Sequence, residues 1–297
     1  MKSSNIGGQA VLEGIMMRHK DEYAVAVRKP DGEIFVQKET YKSVIPIKAL
    51  TTIPFIRGAF NFIDSMVVGV KTLTISASFI EDEEEEQLSK KQEDLLMGAT
   101  VAASILIAVA IFMVLPYFLS SFLKPLIPSY FVRTILEGFV RIGIFIGYVL
   151  IISRMEDIKR TFMYHGAEHK CINCIEHGMP LTVENVAKSS KQHKRCGTSF
   201  IFFVLIISVL LLMLIRVEST LLRILVRILL IPVIAGISYE ILRLAGNSDN
   251  KLVNLISQPG LWVQNLTTKE PDDSMIEVAI AAVEAVFDWR TYEAENF

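Results

Sequence analysis

The amino-acid sequence predicts a mainly α-helical, polytopic membrane protein with about four transmembrane helices, a small N-terminal β-hairpin lobe and an amphipathic interfacial helix. Hydrophobic residues make up 52% of the 297 positions, and the mean hydropathy is +0.43. Chains that fold wholly in water are less apolar than this. The excess is concentrated in a few nearly uncharged runs of about 20 residues, the length that a helix needs to cross a bilayer.

Charge and cysteine content narrow the class of protein further. Thirty Lys and Arg residues oppose 32 Asp and Glu residues, so no field of one sign covers the molecule to attract nucleic acid. Three cysteines are too few for a disulfide scaffold, and residues 1–10 lack the charged-then-apolar order of a secretory signal. We therefore expect an unprocessed inner-membrane protein whose partner is the lipid bilayer, with no nucleic-acid partner.

Residues 1–45 are expected to form a small cytoplasmic lobe that holds the glycine-rich motif GGQAVLEG at positions 7–14. Within this lobe, residues 22–29 and 33–41 flank the turn sequence PDG. Proline presets the φ angle of a turn and glycine permits positive φ, so the pattern predicts a β-hairpin.

Residues 46–80 are predicted to contain an amphipathic helix that lies in the membrane interface or packs on the helical bundle, and an ordinary core helix is the alternative. Apolar side chains recur at helical spacing, with polar side chains in the intervals. The apolar positions are Ile56, Ala59, Phe60, Ile63, Met66, Val67, Val70 and Leu73. Residues 81–97, with the acidic run 81–86, are predicted to form a solvated linker.

Four segments are apolar and long enough to span the membrane. They lie at residues 98–123, 131–152, 199–215 and 221–244. They make two transmembrane hairpins, 98–152 and 199–244, and Pro116 interrupts the first span near its far end.

The connection between the two hairpins, residues 153–198, is rich in basic residues. The opposite connections are short and carry far fewer, so the positive-inside rule places the long loop in the cytoplasm together with both termini. The basic residues of the loop are Arg154, Lys159, Arg160, Lys170, Lys188, Lys191, Lys194 and Arg195.

Residues 245–297 are predicted to form a cytoplasmic C-terminal segment. Residues 247–271 are polar, contain the turn sequence QPG, and are interpreted as a loop. Ser274 and Glu277 have capping-box spacing ahead of an apolar run that ends near Phe287. This pattern predicts an amphipathic C-terminal helix.

The sequence HGAEH at residues 165–169 carries the strongest chemical signal. On a helix, His165 and His169 are four residues apart and share a face, so both imidazoles can reach one metal ion. The H-x-x-E-H spacing is that of the inverzincin motif, in which a glutamate takes a proton from water that the metal activates. We therefore predict a divalent metal site, with zinc as the expected ion and Glu168 as the candidate catalytic base.

Zinc needs at least one more protein ligand, and the candidates, in order of preference, are His193, Cys196 and Glu240. The first two lie in the basic loop, and Glu240 lies near the cytoplasmic end of the fourth span. A competing site has four ligands, because Cys171 and Cys174 together with His193 and Cys196 have the spacing of a structural zinc knuckle.

Three motifs resemble those of a known family. They are GGQAVLEGIMMR at residues 7–18, YHGAEHK at residues 164–170 and RCGTSF at residues 195–200. They are similar to signatures of the YqhQ-like family of bacterial membrane proteins over nearly the whole chain. The resemblance implies a predicted metal-dependent enzyme with no named substrate. It places the HGAEH residues and Cys196 within family motifs and leaves Cys171 and Cys174 peculiar to this sequence, which favours the histidine site.

Ionisable residues inside membrane spans are costly and mark candidate functional positions. Arg133, Glu137 and Arg141 repeat every four residues along the second span and are expected to point into the bundle, either as an ion ladder or, for Glu137 and Arg141, to bind substrate. The glycines of the N-terminal motif are expected to let it fold over the metal loop. Further candidates for substrate binding are Glu13 and Arg18 in that motif and Arg57 at the start of the interfacial helix.

These features favour a membrane-embedded, metal-dependent hydrolase with its site at the cytoplasmic membrane surface. A membrane peptide or a lipid-linked group is the expected substrate. One alternative is a membrane scaffold or assembly protein with a structural zinc site. Another is a small transporter or sensor that uses the charged face of the second span.

Overall fold

The computed structural model of this protein describes residues 3–43, 52–79, 89–215, 217, 219–248 and 250–297. The strands are β1 (Ile6–Val11), β2 (Gly14–His19), β3 (Glu22–Arg28) and β4 (Ile34–Thr40). The helices are α1 (Ile56–Ala77), α2 (Lys90–Val109), α3 (Leu115–Ser121), α4 (Tyr130–Ile152), α5 (Glu156–Glu176), α6 (Val183–Lys188), α7 (Gly197–Leu214), α8 (Thr220–Gly246), α9 (Lys251–Thr267), α10 (Asp273–Val286) and α11 (Trp289–Asn296). The fold is therefore mainly helical with a small sheet near the N-terminus, as the sequence predicts.

The chain divides into two compact units. The first unit comprises Met1–Glu81, Leu150–Phe203 and Ala235–Phe297, and it contains the sheet and the helix that carries HGAEH. The second unit comprises Asp82–Val149 and Val204–Ile234, and its described residues include parts of all four membrane-spanning segments.

The sheet is an antiparallel meander in the order β1-β2-β3-β4. The predicted hairpin is confirmed as β3 and β4, which pair from Glu22 opposite Thr40 to Arg28 opposite Ile34. The glycine-rich motif lies in a second hairpin, β1 and β2, which was not predicted. Glu13 occupies the tight turn between these two strands and adopts a positive φ of 48°.

Strand β3 is buried on both faces, which explains its continuous apolar sequence. Side chains alternate along a strand, so Ala24 and Ala26 face a core that includes residues of α5 and α10. Val25 and Val27 face the other way, into a cluster with Val68 of α1. The sheet thereby holds α5 on one side and α1 on the other.

Within the described residues, four helical segments are long and apolar enough to cross a membrane. They are Leu95–Ser121, Tyr130–Ile152, Gly197–Leu214 and Leu221–Gly246, which confirms the predicted count of spans. The first passes through a π-helical turn, Ala110–Val114, just before Pro116. Proline has no N–H and its ring displaces the carbonyl four residues earlier, so the helical hydrogen bonding changes there. The protein is a multi-pass membrane protein.

Helix α1 covers the predicted amphipathic segment, but its apolar stripe points outward. Gly58, Gly69 and Thr72 are buried, whereas Ile63 and Val67 are exposed. A core helix would bury its large apolar side chains, so this arrangement favours the interfacial interpretation. Most of the connections on either side, including the acidic run 81–86, lie outside the described residues.

The interpretation of residues 247–271 as a loop is wrong, because most of them form helix α9. Asn250 caps the first turn with a side-chain hydrogen bond, and Pro259 lies inside the helix. An interior proline removes one helical hydrogen bond and crowds the carbonyl four residues earlier, so other contacts must compensate for it. Gly260 packs so tightly that a Cβ there would lie 2.9 Å from Oγ of Ser199, which indicates that tertiary packing outweighs the turn sequence.

Helix α10 is the predicted C-terminal helix, but its cap differs from the predicted one. Asp272 is the N-cap and accepts the N–H of Met275 at 2.9 Å. Ser274 lies in the first turn and donates its hydroxyl to Asp272. The helix ends at Val286, one residue before the predicted end.

Candidate metal centre

Helix α5 carries both histidines of the HGAEH sequence. His165 and His169 are one turn apart, and their ring centroids are separated by 4.4 Å. Tyr164, Ala167 and Cys171 of the same helix are completely buried in the core beneath the sheet. This packing fixes the rotation of α5 and therefore the direction of both imidazoles.

Cys196 completes a group of three potential metal ligands. Its Sγ lies 3.3 Å from Nε2 of His165, and the ligand atoms of His165, His169 and Cys196 all lie within 4.8 Å of one another. A tetrahedral zinc ion with bonds of about 2.0–2.3 Å separates its ligand atoms by roughly 3.3–3.8 Å. The Cys196–His165 distance of 3.3 Å falls in this range, and the 4.8 Å bound places the third ligand atom near enough to make the group a candidate site for one ion.

Backbone carbonyls hold the two imidazoles in the orientation that ligation needs. Nδ1 of His165 lies 2.9 Å from the carbonyl oxygen of Thr267, and Nδ1 of His169 lies 2.7 Å from that of Lys191. A carbonyl can only accept, so each Nδ1 carries the proton, and in the neutral ring Nε2 keeps its lone pair. Metal-binding histidines are commonly oriented in this way, which supports the fit of a metal to this site.

Gly166 allows α5 to approach the segment that orients His165. A Cβ on Gly166 would lie 2.0 Å from the carbonyl oxygen of Lys269. The N–H of Lys269 donates to the carbonyl of Phe162 at 2.9 Å, so this segment is hydrogen-bonded directly to α5. The absence of a side chain at Gly166 therefore allows the close approach that places the Thr267 carbonyl next to His165.

The electrostatic field of the group favours the ligating form of cysteine. Burial alone would lower the pKa of His165, but the adjacent Cys196 thiolate raises it to about 9. Burial likewise opposes the thiolate, yet His165 and His169 hold the pKa of Cys196 well below its usual range. The thiolate is the form of cysteine that binds metal.

Glu168 is buried next to the two histidines. Burial raises the pKa of its carboxyl, while electrostatic attraction to the two neighbouring histidines acts in the opposite direction. The N–H of Gly8 donates a hydrogen bond to the carboxylate, and a Cβ on Gly8 would lie 3.0 Å from Cδ of Glu168. The glycine-rich motif thus packs on the candidate base, and Gly8 makes the contact.

His193, the third ligand that the sequence favours, points toward Glu176. Its Nε2 lies 3.5 Å from Oε2 of Glu176, and its ring centroid is 5.8 Å from that of His169. Burial would raise the pKa of Glu176, but His193, Arg195 and the N–H of Ser4 lower it to about 2. This buried network anchors the end of the basic loop.

The structure does not assemble the four-ligand knuckle. Cys171 lies in the core between the sheet, α5 and α10, and the Cys174 thiol faces the carbonyls of Met179 and Pro180 at 3.5 and 3.6 Å. Burial raises the pKa of Cys171 well above its usual value, and it raises that of Cys174 to about 11. Both therefore favour the neutral thiol, in contrast to Cys196.

Glu240, the third candidate ligand, pairs with Arg57. Nε and Nη2 of Arg57 donate to the two carboxylate oxygens at 2.7 and 2.5 Å, and the N–H of Phe55 donates at 3.2 Å. A Cβ on Gly58 would lie 2.6 Å from Cβ of Tyr239, so the two helices are in close contact at this pair. The geometry gives both candidate residues a role in clamping α1 to α8.

The two candidates in the N-terminal motif also have partners in the structure. Nε and Nη2 of Arg160 donate to Glu13 at 2.5 and 2.6 Å, and the Tyr164 hydroxyl lies 3.3 Å from the same carboxylate. The guanidinium of Arg18 stacks on Tyr41, with 3.4 Å between Cζ and the ring centroid.

Glu137 and Arg141 belong to the second unit, whereas His165, His169 and Cys196 belong to the first. Glu137 accepts two hydrogen bonds from Arg227 at 2.6 and 2.8 Å and one from Arg141 at 3.0 Å. Arg141 also donates to Ser208 at 2.6 Å. Arg133 donates to carbonyls of the preceding loop, so only the Glu137–Arg141 pair of the expected ladder forms along the second span, and Arg227 of α8 joins it.

Sequence reasoning missed the groups that orient the ligands. Thr267 and Lys191 act through backbone carbonyls, which any residue supplies, so their side chains give no signal. Gly166 lies inside a recognised motif and could have been identified as a position of close approach. Arg227 is visible as a charge in an apolar span, but its pairing with Glu137 depends on the packing of distant helices.

Comparisons with known proteins agree with the resemblance of the three motifs. A family model described as a protein of unknown function, DUF1385, matches residues 53–289. The chain is 37% identical over 300 residues to the uncharacterized protein YqhQ of Bacillus subtilis (strain 168), covering 98% of this chain and 94% of that protein. No solved structure matches the chain. The chain therefore belongs to the DUF1385 family of YqhQ-like proteins.

Proposed function

We propose that this protein is a membrane-embedded, zinc-dependent hydrolase whose active site lies at the cytoplasmic face of the inner membrane. The observation that carries the proposal is the convergence of His165, His169 and Cys196, with both Nδ1 atoms committed to backbone carbonyls. Catalytic zinc sites use three protein ligands and keep a fourth position open, whereas structural sites have four. The group of three therefore favours catalysis over a structural metal.

The position of the ligands in the chain supports a site at the membrane surface. Cys196 immediately precedes the third span, Gly197–Leu214, and α5 begins four residues after the second span ends at Ile152. The eight basic residues of the loop between these spans favour a cytoplasmic position under the positive-inside rule. Both termini lie on the same side in this topology. A substrate within the membrane, such as a peptide or a lipid-linked group, would reach such a site without leaving the bilayer surface.

Each residue of the site then has a defined task. His165, His169 and Cys196 hold the ion, and the carbonyls of Thr267 and Lys191 orient the imidazoles. A bound divalent metal supplies Lewis acidity toward water and the scissile carbonyl or phosphoryl group. Glu168 takes the proton from water and returns it to the leaving group, and burial raises the pKa of its carboxyl, which makes the carboxylate a stronger base.

The proposal is tested with full-length protein purified in detergent, first for metal and then for hydrolysis. We expect wild type and Cys171→Ala to bind one equivalent of zinc and His165→Ala to lose it, measured by plasma mass spectrometry. Retention of metal by His165→Ala together with its loss from Cys171→Ala would contradict the site.

Hydrolysis is measured by incubating the protein with detergent-solubilised bacterial membrane extract and recording products by mass spectrometry. We expect wild type to release peptide or lipid fragments whose summed mass exceeds the parent by one water. Glu168→Gln should retain zinc and release none, whereas Glu277→Gln, an exposed carboxylate on α10, should behave as wild type. Identical product profiles for wild type and Glu168→Gln would contradict the hydrolase while leaving the metal site intact.

A further inference from the structure

A cavity of about 360 Å³ lies in the second unit, and it shares no lining residue with the candidate metal centre. It is formed by the end of α3, the loop that follows, and the first turns of α4 and α8. Four basic side chains line it, namely Lys124, Arg133, Arg223 and Arg227. Among the described residues, Glu137 is the only acidic side chain in this lining.

The innermost charges of the cavity do not balance. Glu137 is shared by Arg227 and Arg141, so one carboxylate faces two guanidinium groups. These three residues are 4%, 5% and 3% exposed, respectively. Burying an excess charge in a membrane-spanning segment is costly unless an opposite charge neutralises it.

Unused hydrogen-bond donors accompany the excess charge. The Nε atoms of Arg227 and Arg141 are buried and have no acceptor among the described residues. At the rim, Arg223 donates to the carbonyl of Val217 and to the Tyr117 hydroxyl. Neither Arg223 nor Lys124 has a carboxylate partner in the described part of the chain, and the neighbouring Glu218 lies outside it.

We infer that this cavity binds the phosphate group of an anionic ligand, with Arg223, Arg227 and Lys124 as its cationic contacts. Guanidinium groups match phosphate oxygens in charge and in the geometry of paired donors. The volume exceeds that of a small ion and accommodates a phosphate with part of its attached group. Both a phospholipid headgroup from the surrounding bilayer and a soluble phosphate supply this chemistry.

The inference is independent of the proposed hydrolase, because it uses none of the metal ligands. The cavity lies at the first two turns of α4, and the loop with HGAEH follows the last turn of the same helix. A helix that crosses the bilayer has its ends on opposite faces. In the proposed topology the phosphate site therefore faces the outer side of the membrane.

The test titrates delipidated, full-length protein with two matched probes and with inorganic phosphate, using native mass spectrometry. We expect wild type to bind dioctanoyl phosphatidylglycerol and not dioctanoyl glycerol, which lacks the phosphate. The double variant Lys124→Gln/Arg223→Gln should bind the phosphatidylglycerol at least about tenfold more weakly, since each hydrogen bond between charged groups is worth about an order of magnitude. The control variant Lys20→Gln/Lys188→Gln removes two exposed cations of the first unit and should bind as wild type.

The inorganic phosphate arm distinguishes the two sources of the ligand. Displacement of the lipid by millimolar phosphate would show that the site also accepts soluble phosphate, and retention of the lipid would assign the site to headgroups. Equal binding of the two lipid probes, or equal affinity of the cavity and control variants, would overturn the inference.

A second measurement needs no variant and serves where the double variant fails to fold. Phenylglyoxal modifies accessible arginines, and labelling of the Arg223 peptide is followed by mass spectrometry. Saturating dioctanoyl phosphatidylglycerol should reduce labelling of Arg223 at least about threefold while leaving exposed Arg290 unchanged. Unchanged labelling of Arg223 would overturn the inference.

Discussion

Nε2 of His165 lies 3.3 Å from Sγ of Cys196, although 31 residues separate them in the chain. The two residues belong to different sequence motifs, HGAEH and RCGTSF, and the fold brings these two side chains into contact. His169 belongs to the same cluster, because its ligand atom lies within 4.8 Å of those of His165 and Cys196. The contact therefore favours Cys196, over the other candidates that the sequence offers, as third ligand of the proposed site.

The choice between Cys196 and His193 is directly testable by metal affinity. We expect Cys196→Ala to bind zinc at least about a hundredfold more weakly, because loss of a direct ligand should cost more than loss of an orienting partner. His193→Ala should keep an affinity within about tenfold of wild type, since its Nε2 faces Glu176. Competition with a zinc chelator measures both. A larger loss for His193→Ala than for Cys196→Ala would reverse the assignment.

The two neighbouring glycines of the N-terminal motif should respond differently to a methyl group. A Cβ on Gly8 would lie 2.6 Å from the Met16 carbonyl oxygen and 3.0 Å from Cδ of Glu168, whereas one on Gly7 would meet nothing within 4 Å. We expect Gly8→Ala to destabilise the protein by about 1–3 kcal/mol through overpacking, and Gly7→Ala to change stability by less than about 0.5 kcal/mol. Thermal unfolding in detergent compares them, and equal melting temperatures would contradict the packing of this motif on Glu168.

The carboxyl of Glu176 should make stability depend on pH in the acidic range. Its folded pKa of about 2 lies below the ordinary value of 4.5, so its contribution is complete above pH 4.5 and is lost as the pH falls toward 2. We expect wild type to lose at most about 3 kcal/mol over this window from this group. Glu176→Gln, already less stable at neutral pH, should lose correspondingly less. Unfolding midpoints at several pH values, with Glu277→Gln as the exposed control, measure the difference, and parallel curves would rule out the linkage.

Local patterns explain what was predictable from the sequence. Apolar runs of sufficient length identify membrane spans without reference to any tertiary contact, and the PDG turn identifies the hairpin of β3 and β4 for the same reason. The spacing of His165 and His169 also depends only on helical geometry. These features need no knowledge of distant residues.

Distant partners explain what was not predictable. Glu240 is placed by Arg57, 183 residues earlier in the chain, and His193 is placed by a carboxylate on the far turn of α5. Each side chain has the chemistry of a metal ligand, and each is occupied by a partner whose position depends on the packing of whole helices. Helix α9 follows the same rule, because contacts with other segments overcome the turn preference of its central Pro259.

The two carboxylates that pair with arginines across helices should differ in their importance for stability. Glu137 is 6% exposed in its side chain and faces two guanidinium groups, whereas Glu240 is 20% exposed and faces one. Removing Glu137 leaves two buried positive charges without a counter-charge, which typically costs about 3–5 kcal/mol. Removing Glu240 leaves Arg57 partly in contact with solvent, so we expect a loss of about 1 kcal/mol. Thermal unfolding of Glu137→Gln and Glu240→Gln in the same detergent tests this order. Equal losses would show that the buried arginines of the second unit are neutralised by another group, in which case removing bound anions should separate the two variants.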